Sequence, residues 1–450
     1  MEAMKHTRAH GRPWNLKWHR LAHVCQRWRF VISTSPLRLG LQILCKSGAS
    51  IERVLDSWGT LPLIVRFKGR KTNSLPQNIG IALSRPDRVR EIDLALTSTA
   101  FMSIVDAIKK PFQTLECIRI TIINATEPLL LFDNAFLGGS APRLREITLD
   151  GINFPFPEMN RVISSNNLVE LRISRIPKTG YFSADALVTA LSVSTKLREL
   201  QVGFHYPASL PTQSTTSPPL QRTSFPSLWL LEFHGASEYL EDFVSRVDFP
   251  SLSYMTTEFF NQIFFEIPEF CRSIPLLSAF RSPSEVEILL SDSEKRVFIS
   301  FKPTRRGKRG ISSGTCYLKT ETEQLDWKLS FVTEVLSQLS LLLKSVGTLR
   351  VIGFSTGGSD VMTGQEDVES TQWVELFQLF THVKQLHASG PVLQDIMHAL
   401  VTEDVAAGGL PELTQLSLMG QFCTPAVVDA AEQFVAALQR SGRDIHLSIN

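Results

Sequence analysis

The stretch Leu144-Arg145-Glu146-Ile147-Thr148-Leu149 has the form apolar-x-x-apolar-x-apolar, and that form recurs along most of the chain. Upstream it reads Val89-x-x-Ile92-x-Leu94 and Leu115-x-x-Ile118-x-Ile120. Downstream it reads Leu168-x-x-Leu171-x-Ile173, Leu197-x-x-Leu200-x-Val202 and Leu228-x-x-Leu231-x-Phe233. Start-to-start spacings are 26, 29, 24, 29 and 31 residues. After a less regular middle the form returns at Leu349-x-x-Ile352-x-Phe354, Val383-x-x-Leu386-x-Ala388 and Leu413-x-x-Leu416-x-Leu418. The second and third apolar positions are two apart, so they point to one face of a strand. Residues between and beside them, such as Arg119, Thr148, Arg172 and Gln201, point to the other face. A short strand with one wet and one dry face needs neighbours, and repeats of this size stack in parallel with helices behind them.

The intervals hold the helices that such a unit requires. Ser98 is placed to cap a helix in which Phe101, Ile104, Val105 and Ile108 form one stripe, stopped by Pro111. Ser183 begins another, with Leu187 and Leu191. Leu240, Phe243, Val244 and Val247 mark a third, closed by Pro250. Trp373, Leu376, Phe377 and Phe380 repeat the pattern. Pro425 opens a last helix through Val428, Phe434, Val435 and Leu438, with Gly442 just beyond its end. The expected fold class is therefore α/β, an irregular leucine-rich-repeat-like solenoid with parallel strands over residues 51–450. An ordinary doubly covered parallel sheet fits less well, because its strands read as near-continuous apolar runs rather than alternating ones. Typical leucine-rich repeats carry Asn or Cys soon after the strand. Here only Asn124 and Asn153 lie near that place, neither at the regular offset, so irregular repeats are expected.

Two regions break the pattern. Pro207 to Pro226 holds five prolines and eight Ser/Thr residues without an apolar period, and reads as a disordered loop insert. From Glu285 to Lys319, Val286, Ile288 and Leu290, then Val297, Ile299 and Phe301, then Tyr317 suggest antiparallel strands. The basic run Lys302, Arg305, Arg306, Lys308 and Arg309 has no interleaved aromatics and reads as a solvated hairpin loop. The stretch Gly357 to Ser370 is an acidic loop.

Composition narrows the function. Forty-six Lys+Arg against 44 Asp+Glu leave a net charge of +2, so no global field favours nucleic acid. Only Met1 to Gly40 is biased, with eight Lys/Arg and one acid. Its first 20 residues lack the apolar stretch of a secretory leader, and scarce Ser together with Pro13 argues against a mitochondrial one. No run approaches the ~18 apolar residues of a membrane span. Six cysteines (Cys25, Cys45, Cys117, Cys271, Cys316, Cys423) sit far apart and read as buried free thiols of a reduced chain, cytoplasmic or nuclear. No cofactor or metal is expected.

Enzyme signatures fail on inspection. Gly353-Phe354-Ser355-Thr356-Gly357 matches G-x-S-x-G, which makes a serine hydrolase at Ser355 the remote alternative. The residues after it are polar and Gly-rich, so no helix backs the serine, and Asp404 or His446 would have to complete a triad with little chain left. His19 and His23 share a helical face without a third ligand. No P-loop, dinucleotide or kinase motif occurs. A non-enzymatic chain that binds a protein on the sheet face is the expectation.

The N-terminus carries a further signal. Leu21, Val24, Trp28 and Val31 give one apolar face to a helix over His19–Ile32, and an apolar strand, Leu39 to Leu44, follows Ser35-Pro36. His23-Val24-Cys25-Gln26-Arg27-Trp28-Arg29 resembles the C-terminal half of an F-box. The chain more narrowly resembles the basidiomycete-type fungal F-box-like proteins with degenerate leucine-rich repeats. Ser57-Trp58 through Leu61-Pro62-Leu63, Gln324-Leu325-Asp326-Trp327-Lys328-Leu329-Ser330, Trp373 to Leu386, and Phe434 to Gly442 resemble successive phrases of that family. The resemblance implies a partial F-box-like helical segment at 1–50, with Leu21, Val24, Cys25 and Trp28 meeting a partner. It also implies a substrate-recognition adaptor of a cullin-RING ubiquitin ligase that docks on a Skp-type adaptor. The family's opening Leu-Pro helix has no counterpart in Met1 to Lys17. A protein-interaction scaffold that recruits no ligase is therefore the alternative.

Overall fold

The computed structural model describes residues 24–34, 43–45, 52–57, 61–69, 76–123, 136–152, 162–163, 166–205, 221–260, 267–274, 277, 280, 282–291, 296–303, 315–321, 325–354, 366–401 and 409–450. The chain forms two compact units, one of Met1–Phe182 with Ala190–Leu197 and one of Ser183–Thr189 with Arg198–Asn450. Each is mixed α/β and built on a mostly parallel sheet.

In the first unit β1 (Ile43–Cys45), β2 (Leu63–Lys68), β3 (Val89–Thr97), β4 (Cys117–Ile123), β5 (Glu146–Asp150) and β6 (Glu170–Ile176) lie in chain order, each pair parallel. Cys45, Val65, Ile92, Ile118, Ile147 and Leu171 share one rung, and Leu94, Ile120, Leu149 and Ile173 share the next. All are buried, as the alternation requires. Full burial of such a side chain stabilises by roughly 1.5–3 kcal/mol, so these rungs are the main reason the unit holds together. Helices cover them. Gln77–Leu83 packs on β2 through Ile79, Ala82 and Leu83.

The single helix expected after Ser98 is instead two short ones, Ser98–Met102 and Val105–Ile108, and the cap is Thr97, whose Oγ1 accepts from the Ala100 N–H at 3.4 Å. Phe101, Ile104, Val105 and Ile108 are nevertheless all buried. Gly138 explains part of the crowding there. At φ +58, a Cβ on it would lie 2.6 Å from the Pro111 nitrogen, so only glycine fits against that proline.

The second unit contains β7 (Glu199–Phe204), β8 (Thr223–Ser224), β9 (Leu230–Gly235), β10 (Val247–Asp248), β11 (Tyr254–Phe259), β12 (Pro283–Ser291), β13 (Arg296–Pro303), β14 (Thr315–Glu321), β15 (Thr348–Phe354), β16 (Gln385–Ser389), β17 (Gln415–Met419) and β18 (His446–Ile449). Its main sheet runs β7-β9-β11-β14-β13-β12-β15-β16-β17-β18, and β8 pairs with β10 apart from it. The antiparallel strands expected in the middle are present, with a limit. β13 runs against both β12 and β14, but β14 is parallel to β11 and β12 is parallel to β15. One reversed strand is thus accommodated while the dry rungs continue through it. Val286, Phe301, Leu349, Leu386 and Leu416 stand in register and buried.

The expected helices form at Ala184–Leu191, Ser237–Arg246, Glu366–Gln378 and Pro425–Arg440. Ser183 Oγ accepts from the Ala186 N–H, and Thr424 caps the last helix. The third helix ends at Arg246, before Pro250, because Val247 turns into β10. Buried Arg246 joins two helices, with Nη1 2.9 Å from Asp185 and Nε 2.6 Å from Asp242. Glu241 accepts the backbone N–H groups of Glu269 and Phe270, which start the helix Pro268–Ser273. Burial raises the Glu241 pKa, and those two N–H donors act the other way.

One expected register is wrong. In β15 the buried residues are Leu349, Val351 and Gly353, while Ile352 is half-buried and Phe354 exposed. The phrase there is Val346-x-x-Leu349-x-Val351, with Leu349 level with Leu386. A slip from that register moves a strand's apolar set to the opposite face, which is why Ile352 and Phe354 stand outside.

With this correction, glycine occupies the seventh position after the phrase's first residue five times, at Gly151, Gly235, Gly353, Gly390 and Gly420. Gly151, Gly390 and Gly420 have φ of +72°, +89° and +101°, and Arg175 takes the same place at φ +49°. The chain leaves these strands through a left-handed residue. Three residues before the phrase lies a second regular feature, a tight turn. Leu144, Leu197, Leu228, Leu252 and Leu413 donate their N–H to the carbonyls of Ala141, Ser194, Phe225, Phe249 and Leu410. Proline follows four of those five acceptors, which suits its fixed φ.

Candidate protein-binding face

Opposite the dry rungs each unit presents a half-exposed strand face. In the first unit the rung Arg66, Asp93, Arg119, Thr148 and Arg172 lies beside the rung Glu91, Cys117, Glu146 and Glu170. The charges engage one another. Arg66 reaches Glu91 at 2.7 Å, Arg119 bridges Glu91 at 3.5 Å and Glu146 at 2.5 Å, and Arg172 reaches Glu170 at 2.8 Å. Because each base is held by acids on the same or the next strand, the face offers ordered polar groups without a field of one sign. Cys117 sits among them, and burial, with Glu146 and Glu91, drives its pKa up despite Arg119. Burial thus favours its neutral thiol form.

The same logic holds for the other cysteines. Burial raises Cys45 and Cys316 to about 12 and drives Cys271 up as well. The expectation of buried thiols is met by Cys45, Cys117, Cys271 and Cys316. It fails at Cys25, which is exposed, and at Cys423, which is only partly covered, because both lie at the ends of elements.

The second unit's face differs. Its rungs carry Glu232, Thr256, Tyr317, Ser300, Glu287, Arg350, His387 and Ser417, then His234, Glu258, Lys319, Phe298, Leu289, Ile352, Ser389 and Met419. Lys302 is held by Glu285 and Glu287, Arg350 by Glu285, and Lys319 by Glu258. Burial, then Arg350, lowers the His387 pKa, with Glu285 opposing, so the imidazole is biased toward neutrality. Periodicity alone does not single out the aromatic and aliphatic residues on this face. The strand carrying Tyr254 is hidden because its phrase, Leu252-x-x-Met255-x-Thr257, ends on a buried threonine. The turn at Phe249-Pro250 is the signal that reveals it.

Of the N-terminal residues, Leu21 lies outside the described residues. The helix there runs Gln26–Thr34, later than the expected His19 start, whose first residues are also outside. Of the expected Leu39 to Leu44 strand, Ile43 and Leu44 lie in β1, and residues 39–42 lie outside the described residues. Val24, Cys25 and Trp28 are exposed, Trp28 at 47 %, together with Val31 and, at 67 %, Phe30. Val24, Trp28 and Val31 follow at helical spacing, so an apolar face is open.

The remaining expectations fall partly or wholly outside the described residues: Ser355, Asp404, the basic residues Arg305 to Arg309, most of the Pro207 to Pro226 insert, and the acidic stretch up to Gln365. From Glu366 that stretch is helical rather than loop, since it leads straight into the Trp373 stripe. Among the described residues no three His, Cys, Asp or Glu side chains are grouped to hold a metal, and no helix is long and apolar enough to cross a membrane. No family model matches the chain, and no curated protein matches it.

Proposed function

We propose that this chain is a protein-binding, leucine-rich-repeat-like solenoid that serves as the substrate-recognition adaptor of a cullin-RING ubiquitin ligase. The observation that carries the reading is the regular half-exposed face, in which consecutive strands repeat one polar rung and the charges neutralise one another. Such a face suits a protein partner better than nucleic acid or a small substrate. The segment that would meet a Skp-type adaptor is the N-terminal one, through Leu21, Val24, Cys25 and, on the helix Gln26–Thr34, Trp28.

A second reading, a scaffold without ligase recruitment, is favoured by the exposure of Val24 and Trp28. Titration with a purified Skp-type adaptor separates the two. The polypeptide Met1–Asn450 is expected to bind weakly or not at all. Adding a Leu-Pro opening helix ahead of Met1 is expected to bring binding into the sub-micromolar range, and Trp28→Ala in that extended chain to abolish it. An extended chain that still fails to bind would sink the ligase reading and leave the scaffold. Sub-micromolar binding by Met1–Asn450 itself would show that the opening helix is dispensable.

A further inference from the structure

On the half-exposed face of the second unit, part of one rung is apolar. Phe298, Leu289, Ile352, Ser389 and Met419 stand side by side on β13, β12, β15, β16 and β17, all half-exposed, and Phe354 is exposed beyond Ile352. Ser389 alone interrupts this stripe, which spans about 19 Å at ordinary strand spacing. The matching rung of the first unit reads Lys68, Ala95, Thr121, Asp150 and Ser174. Apolar side chains thus hold outward positions that are mainly polar there, which is the mark of an interaction patch rather than of a core.

The ion pairs around the stripe are closed among themselves. Lys302 is with Glu285 and Glu287, Arg350 with Glu285, and Lys319 with Glu258. At the Phe298 end Lys319 Nζ also lies 5.4 Å from the ring centroid. An excess of one sign enters with the sequence that leaves β15. From Val351 to Val383 it holds five acids (Asp360, Glu366, Asp367, Glu369 and Glu375) and no Lys or Arg. That stretch starts in the stripe, at Ile352 and Phe354, and includes the helix Glu366–Gln378.

The chain carries a matching counterpart. On the helix Gln26–Thr34, Trp28 and Val31 are exposed on one face and Phe30 on another. Its nine residues make it about 13 Å long, so it fits within the stripe. Its sequence surroundings are equally one-sided. Residues 3–51 hold nine Lys/Arg, with Arg27 and Arg29 in the helix itself, and no acid. An apolar helix face in a basic segment thus answers an apolar stripe that opens an acidic one, and opposite regional charge steers such an encounter.

We infer that this chain binds a second copy of itself, the helix Gln26–Thr34 of one copy lying across Leu289, Ile352 and Phe354 of the other. Trp28 and Val31 are the side chains that meet the stripe. The contact joins unlike patches, so two copies close it as a pair only when each gives its helix and receives the other's. The inference goes beyond the adaptor reading and does not depend on it, although a Skp-type adaptor would compete for the same helix.

Sedimentation of the full chain over a range of concentrations tests this. Reversible self-association is expected, weakening as salt is raised. Trp28→Glu and Phe354→Glu, both at exposed positions, should each weaken it about tenfold or more and leave the circular dichroism unchanged. Mixing the two variants should restore association between unlike copies, because the helix of the Phe354→Glu copy still fits the stripe of the Trp28→Glu copy. A chain that stays monomeric, association indifferent to both variants or to salt, or a mixture that fails to associate would overturn the inference. Adaptor titration reads the ligase proposal independently of all these outcomes.

Discussion

Gly390→Ala will destabilise the second unit by roughly 2–5 kcal/mol, adding the cost of a left-handed non-glycine residue to that of an overpacked contact. Gly390 follows β16 at φ +89°, and a Cβ on it would fall 2.0 Å from the Gly353 carbonyl oxygen, at the same position of the preceding strand. Neither group can yield cheaply, since both are backbone next to paired strands. Gly353 is itself confined, because its own Cβ would meet Val392 at 3.1 Å. Gly420 provides the control. Its φ is +101°, but nothing lies within 4 Å of the added Cβ, so Gly420→Ala should show the conformational cost alone, roughly 1–2 kcal/mol. Hydrogen exchange of β15 and β16 in the full chain reads the difference locally, which matters in a chain of two units. Equal effects of the two variants would mean that the close approach of Gly390 to Gly353 has no energetic weight.

Leu171→Ala should cost roughly 2–5 kcal/mol, the range for truncating a buried leucine in a core that relaxes only partly. Leu171 is level with Ile147 on β5 and fully buried in the dry rung of the first unit. Thr148, one residue beyond Ile147 on the same strand, faces the other way and is half-buried. Thr148→Ala should change stability by less than about 0.5 kcal/mol. Urea unfolding followed for the first unit separates the two. A Leu171→Ala loss below about 1 kcal/mol would contradict the assignment of wet and dry faces on which the rest depends.

Much of this architecture is legible in period-two alternation. Ile147 with Leu149, Leu171 with Ile173, and Leu200 with Val202 announce their strands because a half-buried strand must alternate. Legibility ends where alternation is degenerate. Val346 to Phe354 carries apolar residues at both phases, so the phrase can be read from Val346 or from Leu349, and only pairing with Leu386 decides. The order β11-β14-β13-β12 is not legible either. It depends on which edges meet across many residues, and Tyr254 with Tyr317, and Leu289 with Phe298 and Ile352, reveal themselves as neighbours only through that order. Short-range chemistry carries signal that alternation does not, in the glycine seven residues after Leu144, Leu228, Val383 and Leu413 and in the turn before each of these residues except Val383. At the N-terminus the helical spacing of Val24, Trp28 and Val31 is readable. Its partner is not, because an exposed apolar face says that something fits without saying what.

The central claim is that the half-exposed strand face holds another protein, and site-specific photo-crosslinking tests it most directly. A photoreactive residue is placed in turn at Thr148 in the first unit, at Thr256 in the second, and at Glu432, an exposed position on the helix Pro425–Arg440. Irradiation in cells of the protein's source is predicted to give discrete protein adducts at Thr148 or Thr256 and none at Glu432. Adducts confined to Glu432, or none at any of the three positions, would contradict the account.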